Sequence, residues 1–137
     1  MALRYGSRSR PGTMVSTWLN SLVSGTVVSN AGYFGGGKNA AGAVIATVDR
    51  FAFPTDSRTT LGTGLSSARR GVAGMANSGT AGYFCGGSTG SYVATVDKFA
   101  FSDDGRTTLG SGLSAARGYA AGMANSGTAG YVGGGFE

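Results

Sequence analysis

Residues 48–87 and 96–135 align without a gap at a constant offset of 48, and 29 of the 40 paired positions are identical. Two segments this alike take the same local structure, so the chain has to be built from repeated units packed beside one another. Each unit reads Thr-Val-Asp-Arg/Lys-Phe-Ala-Phe, then Asp-x-Arg-Thr-Thr-Leu-Gly-x-Gly-Leu-Ser, then Ala-Arg, then Ala-Gly-Met-Ala-Asn-Ser-Gly-Thr-Ala-Gly-Tyr. The closing element occurs three times, as Gly32-Tyr33-Phe34-Gly35-Gly36-Gly37, Gly82-Tyr83-Phe84-Cys85-Gly86-Gly87 and Gly130-Tyr131-Val132-Gly133-Gly134-Gly135. A period near 50 residues favours a propeller blade over a solenoid repeat. The one change of length, two extra residues between Gly37 and Val48 relative to Gly87 and Val96, marks a loop.

Within a unit the residues alternate as strands do. Thr47, Asp49, Phe51 and Phe53 fall on one face and Val48, Arg50 and Ala52 on the other, and the same holds for Thr95, Asp97, Phe99 and Phe101. Asn77-Ser78-Gly79 and Asn125-Ser126-Gly127 predict turns between small-residue strands, because Asn and Gly tolerate positive φ. Asp56-Ser57 and Asp103-Asp104-Gly105 predict a second turn. Each unit is therefore expected to hold four short strands, and glycine or β-branched residues in every window argue against helix.

Composition bounds the rest. The chain has 137 residues, 27 of them glycine, with 12% charged and 41% hydrophobic, which suits one domain with a modest core held by regular hydrogen bonding. No apolar run is long enough to span a membrane, and no charged start leads into an apolar segment, so neither a membrane partner nor a secretory signal is expected. The single cysteine, Cys85, is expected as a small buried side chain. The net charge of +5 could suit nucleic acid, but the basic residues divide into Arg4, Arg8 and Arg10 in an N-terminal arm and others spread through the repeats, most of them at matched positions. With no recognition helix, zinc spacing or RNA-binding aromatic signature, nucleic acid is not expected as the partner. Residues 1–24 read as a basic arm followed by a β-prone run, Met14 to Leu19, that carries the only tryptophan, Trp18; residues 25–137 read as the repeat domain.

Chemistry is sparsely provided for. Histidine is absent, which removes the commonest general base and the usual zinc ligand. Asp49 with Asp97 and Asp56 with Asp104 are repeat equivalents and are expected to serve the unit. Asp103 and Asp104 could offer oxygens to calcium, with solvation the stronger reading. Gly35-Gly36-Gly37 is not followed by the Lys-Ser/Thr of a phosphate loop. No catalytic residue, cofactor or metal is expected. Tyr33, Tyr83, Tyr92, Tyr119 and Tyr131 could stack on sugars, against the plainer reading of packing.

The order of paired glycines, a Val-Asp-x-aromatic strand, a Leu-Ser-x-Ala-Arg segment and a turn into Gly-Tyr-x-x-Gly-Gly resembles the kelch repeat, the four-stranded blade of a β-propeller. The resemblance covers residues from about 25 to 135. Phe51 and Phe99 match that family's strand tyrosine, Arg69 and Arg117 its arginine, and Gly86, Gly87, Gly134 and Gly135 its paired glycines. The family's tryptophan is missing near Thr60-Leu61 and Thr108-Leu109. The resemblance implies an all-β protein of antiparallel blades, about two and a half in this chain. Closed propellers have four to eight, so closure is expected through homo-oligomerisation, the strand at Met14 to Leu19 completing a neighbour's last half-blade. More loosely, short near-identical blades with a basic arm resemble kelch-like structural proteins of tailed-phage virions. This implies a non-enzymatic virion component that contacts other virion proteins, made in the host cytoplasm and anchored through Arg4, Arg8, Arg10 and Trp18. The alternatives are an adhesin for host-surface glycan and a cellular interaction module.

Overall fold

The computed structural model describes residues 31–53 and 55–137, which contain nine strands and no helix. The expectations placed on Arg4, Arg8, Arg10, Trp18 and the strand at Met14 to Leu19 lie outside the described residues. In chain order the strands are β1 (Ala31–Gly35), β2 (Val48–Ala52), β3 (Ser57–Thr60), β4 (Ala73–Asn77), β5 (Ala81–Cys85), β6 (Val96–Ala100), β7 (Arg106–Thr108), β8 (Ala121–Asn125) and β9 (Ala129–Gly133). They form three antiparallel sheets ordered β1-β2-β3, β4-β5-β6-β7 and β8-β9, none of them closed. Four strands in one sheet, as the repeat predicts, are seen in the middle one; β5 is the counterpart of β1 and β9, and β4 the counterpart of β8.

The turns form where their chemistry allows. Gly79 and Gly127 carry φ of 72° and 82°, and Thr80 and Thr128 donate back to the carbonyls of Asn77 and Asn125 at 3.0 and 2.9 Å. Asp56 and Asp104 occupy the left-handed region at φ 51° and 57°, which aspartate tolerates better than most side chains. The Asp103 side chain supports the second of these turns by accepting from the Gly105 amide at 2.9 Å. The two extra residues of the first unit enlarge one hairpin tip: a bridge joins Lys38 to Val44 there, against Ser88 to Tyr92 in the second.

The sheets stack in chain order, and strand alternation divides each into a leading face toward the next sheet and a trailing face toward the previous one. Register pairs Tyr33 with Arg50 and Gly35 with Val48 on the leading face of the first sheet, and Phe34 with Asp49 on its trailing face. Between the first and second sheets lie Val48, Leu65, Phe84 and Phe99, with Tyr33, Leu61 and Val72 against them. Between the second and third lie Ala73, Cys85 and Val96, with Met75, Tyr83, Leu109, Leu113 and Val132. Leu61 and Leu109, repeat equivalents, thus supply apolar volume to the two joints. Phe99 is fully buried, which contributes about 1.5–3 kcal/mol relative to an exposed ring.

Candidate functional site

The built features of this molecule are its joints between sheets, and the first is centred on an ion pair. The segment from β3 to β4 leaves the first sheet and carries Arg69 into the second. There Nη2 donates to Asp97 Oδ2 at 2.6 Å and Nη1 donates to the Thr95 carbonyl at 3.1 Å. Both side chains are completely buried. A carboxylate withdrawn from water needs its lone pairs occupied. Asp97 Oδ2 also accepts from the amide and hydroxyl of Ser66 at 2.8 and 2.9 Å, and Oδ1 accepts from the Thr108 hydroxyl at 2.7 Å. Burial pushes the Asp97 carboxyl upward, but the bonds from Thr108 and Ser66 and the charge of Arg69 outweigh it and hold it below its ordinary value. Burial in turn draws the Arg69 guanidinium below its usual value against the opposing pull of Asp97.

The paired glycines anchor the arginine segments by their backbone. Gly37 N donates to the Arg69 carbonyl at 2.7 Å and Gly87 N to the Arg117 carbonyl at 2.9 Å. Gly36 and Gly86 stand at φ 72° and 64°, and a Cβ on either would collide with that same arginine carbonyl. Glycine is therefore required twice over, by conformation and by close approach. Of the repeat glycines named from sequence, Gly86 and Gly87 are buried, whereas Gly134 and Gly135 are exposed on the last sheet.

A second tie crosses the same joint nearer its rim. The Tyr33 ring stacks on Phe101 with centroids 5.2 Å apart, and its hydroxyl donates to Asp104 Oδ1 at 2.6 Å. Burial raises the Tyr33 phenol above its ordinary value, and the bond to Asp104 adds to that. Arg50 Nε lies 3.7 Å from the same carboxylate oxygen. Asp103 and Asp104, considered as calcium ligands from sequence, thus bond to donors of the protein. Among the described residues no three Asp, Glu, Cys or His side chains group as metal ligands.

The joint between the second and third sheets uses different residues. Val132 packs against the cluster containing Cys85, Ala73 and Val96, and the two Asn-Ser-Gly turns clasp one another. Asn77 Oδ1 accepts from Gly127 N at 2.9 Å and Ser126 Oγ from Ser78 N at 2.6 Å. Cys85 is buried as expected, and burial pushes its thiol up to about 11, partly opposed by Arg69. Arg117, the equivalent of Arg69, bonds to the Glu137 carboxylate and to the Gly134 carbonyl at the surface.

The sequence-matched residues therefore divide. Phe99 and Arg69 are buried in the first joint, while Phe51, the equivalent of Phe99, lies half-buried on the outer trailing face of the first sheet. Sequence reasoning assigned Asp97 to the unit without identifying Arg69 as its partner. It missed Ser66, Thr108 and the Tyr33 to Asp104 tie; the recurrence of Leu-Ser and Thr-Thr beside each Val-Asp was the available signal. The tyrosines do not gather into one surface: Tyr33 and Tyr83 sit in joints, Tyr92 is half-buried, and Tyr119 and Tyr131 are exposed. A cleft of about 300 Å³ opens between the clasped turns, with Tyr83, Asn77, Asn125 and Thr128 on its walls. These features define an all-β repeat protein of stacked antiparallel sheets. No family model matches the chain, and no curated protein matches it.

Proposed function

We propose that this chain is a non-enzymatic structural protein of a tailed-phage virion, a capsid decoration or a tail or fibre component. In this reading its kelch-like blades self-assemble and its N-terminal arm anchors the assembly to other virion proteins. The observation that carries the reading is where the reactive side chains are spent. Arg69, Asp97, Asp104 and Tyr33, the groups best suited to chemistry, are committed to holding sheet against sheet. The outer edge of β9, on the side where β5 pairs with β6, has no partner among the described residues. Such an edge is a template for another strand. The strand at Met14 to Leu19 of a neighbouring copy fits that role, adding to the last sheet and advancing the assembly toward a closed ring.

Quantitative mass spectrometry of purified particles from the phage that encodes this sequence tests the reading. Many copies per particle are expected, with loss of incorporation when residues 1–24 are deleted. Absence from intact particles would overturn it. The cleft beside Tyr83 favours one rival, a glycan-binding adhesin, since it places an aromatic ring among amide and hydroxyl groups. A glycan array comparing the native chain with Tyr83→Ala, Tyr92→Ala and Tyr119→Ala separates the two, because specific binding abolished by substitution would support the adhesin.

A further inference from the structure

The two outer faces of the stack are the same two kinds of face that meet inside it. On the trailing face of the first sheet, Phe34 and Phe51 stand edge to face at 5.6 Å and 85°. Phe84 and Phe99 do so at 5.6 Å and 86° on the trailing face of the second. Phe53 lies over Gly32, its ring 3.2 Å from where a Cβ would be, as Phe101 lies over Gly82 at 3.2 Å. Asp56 adopts the left-handed turn conformation of Asp104. Inside the molecule this arrangement receives Tyr33 and Gly35 from the preceding leading face. Among the described residues nothing covers it on the first sheet, where Phe34 is 68% and Phe53 62% exposed.

The opposite end presents the matching set. Met123 and Tyr131, which share the leading face of the third sheet, are 68% and 58% exposed. A Cβ on Gly35 would strike the Phe84 ring at 2.9 Å, whereas one on Gly133 would meet nothing within 4 Å. Side-chain sizes at the joints are also matched. Gly35 faces Phe84 in the first joint, and in the second Cys85 belongs to the cluster that receives the smaller Val132. A phenylalanine therefore requires a glycine opposite it. Phe34 has that counterpart in Gly133, at the far end of the molecule.

We propose that the trailing face of the first sheet, through Phe34, Phe53 and Asp56, docks on the leading face of the third sheet of a second copy, through Gly133, Tyr131 and Met123. Copies then join head to tail by a third joint of the internal kind. This rests on the self-assembly reading above and deepens it by naming the face-to-face contact of that same junction, without which the edge strand alone does not hold two copies together. Phe34 sits over Gly133, Tyr131 stacks on Phe53, and the Tyr131 hydroxyl donates to Asp56. Because the two surfaces differ, the contact is heterologous and propagates into a ring or a filament according to the rotation per copy.

Sedimentation velocity on the full chain, on Gly133→Trp, on Phe34→Glu and on an equimolar mixture of the two variants tests the proposal. The native chain should sediment as an assembly of two or more chains and each variant alone as a single chain. The mixture should give a dimer and nothing larger, because one sound joint remains between the unaltered Phe34 of one variant and the unaltered Gly133 of the other. Circular dichroism melting within a few degrees of the native chain shows that each variant is folded. Met123→Glu and Phe53→Glu replace any variant that is not. Variants that stay fully assembled would overturn the face-to-face joint and leave self-assembly standing, whereas a monomeric native chain would overturn both. Folded variants that fail to form the mixed dimer would overturn the head-to-tail arrangement.

Discussion

Arg69 and Arg117 occupy equivalent positions 48 residues apart, on segments with the same backbone anchors, yet they live in different surroundings. Arg69 is fully buried on Asp97, whereas Arg117 is 21% exposed and reaches the outlying Glu137. The difference lies in what the following sheet supplies. The second sheet has β6 and therefore Asp97; the third sheet consists of β8 and β9, and no β6 counterpart stands among the described residues. One arginine is consequently a keystone and its twin a surface cation, although both follow the same Leu-Ser-x-Ala approach.

The sharpest way to break this comparison is to remove each partner in turn. Asp97→Asn or Arg69→Ala leaves a buried charge without its counter-ion and is expected to lower unfolding stability by about 3–5 kcal/mol. Arg117→Ala should lower it by less than about 1 kcal/mol, as for an exposed pair. Urea denaturation of the three variants measures this, and equal losses would refute the distinction. Acid acts on the same joint. Asp97 has a folded value below its unfolded one, so its contribution is present above the ordinary carboxylate value of 3.8 and is lost as pH falls below it. Stability should drop over that window in the native chain, and the drop should be shallower in Asp97→Asn.

The joints can next be compared by volume. Val132→Phe overfills the space beside Cys85 and is expected to destabilise by about 1–3 kcal/mol. Adding Cys85→Gly, which recreates the pairing of Gly35 with Phe84, should recover much of that loss. A double-mutant cycle reads the coupling, and strict additivity would show that the sizes are not matched across the joint. The smallest expected effect is at the rim. Tyr33→Phe keeps the stack on Phe101 but removes the bond to Asp104, for a loss of about 1 kcal/mol, reduced from the buried case because the site is partly open to water.

Much of the fold was legible in the sequence because it depends on local rules. The gapless repeat identified equivalent strands, alternation assigned Val48 to the opposite face from Asp49 and Phe51, and Asn-Ser-Gly marked the turns. The length difference after Gly37 fell in a hairpin tip, as a loop insertion should. The partners across the joints were less legible, because a period says which residues are equivalent and not which neighbour each one meets. Arg69 could have turned to Asp49 in its own unit or to Asp97 in the next, and only packing decides. The pairing of sizes was hidden for the same reason. Cys85 in place of glycine and Val132 in place of phenylalanine read as independent drift until the sheets are stacked, when both fall in one joint, Val132 against the cluster that holds Cys85.

Native mass spectrometry of the purified chain at micromolar concentration tests the account most directly. An exposed leading face at one end and its complement at the other predict a mass of at least twice 13.6 kDa, in whole multiples of it. A folded species that remains at 13.6 kDa across that range would contradict it.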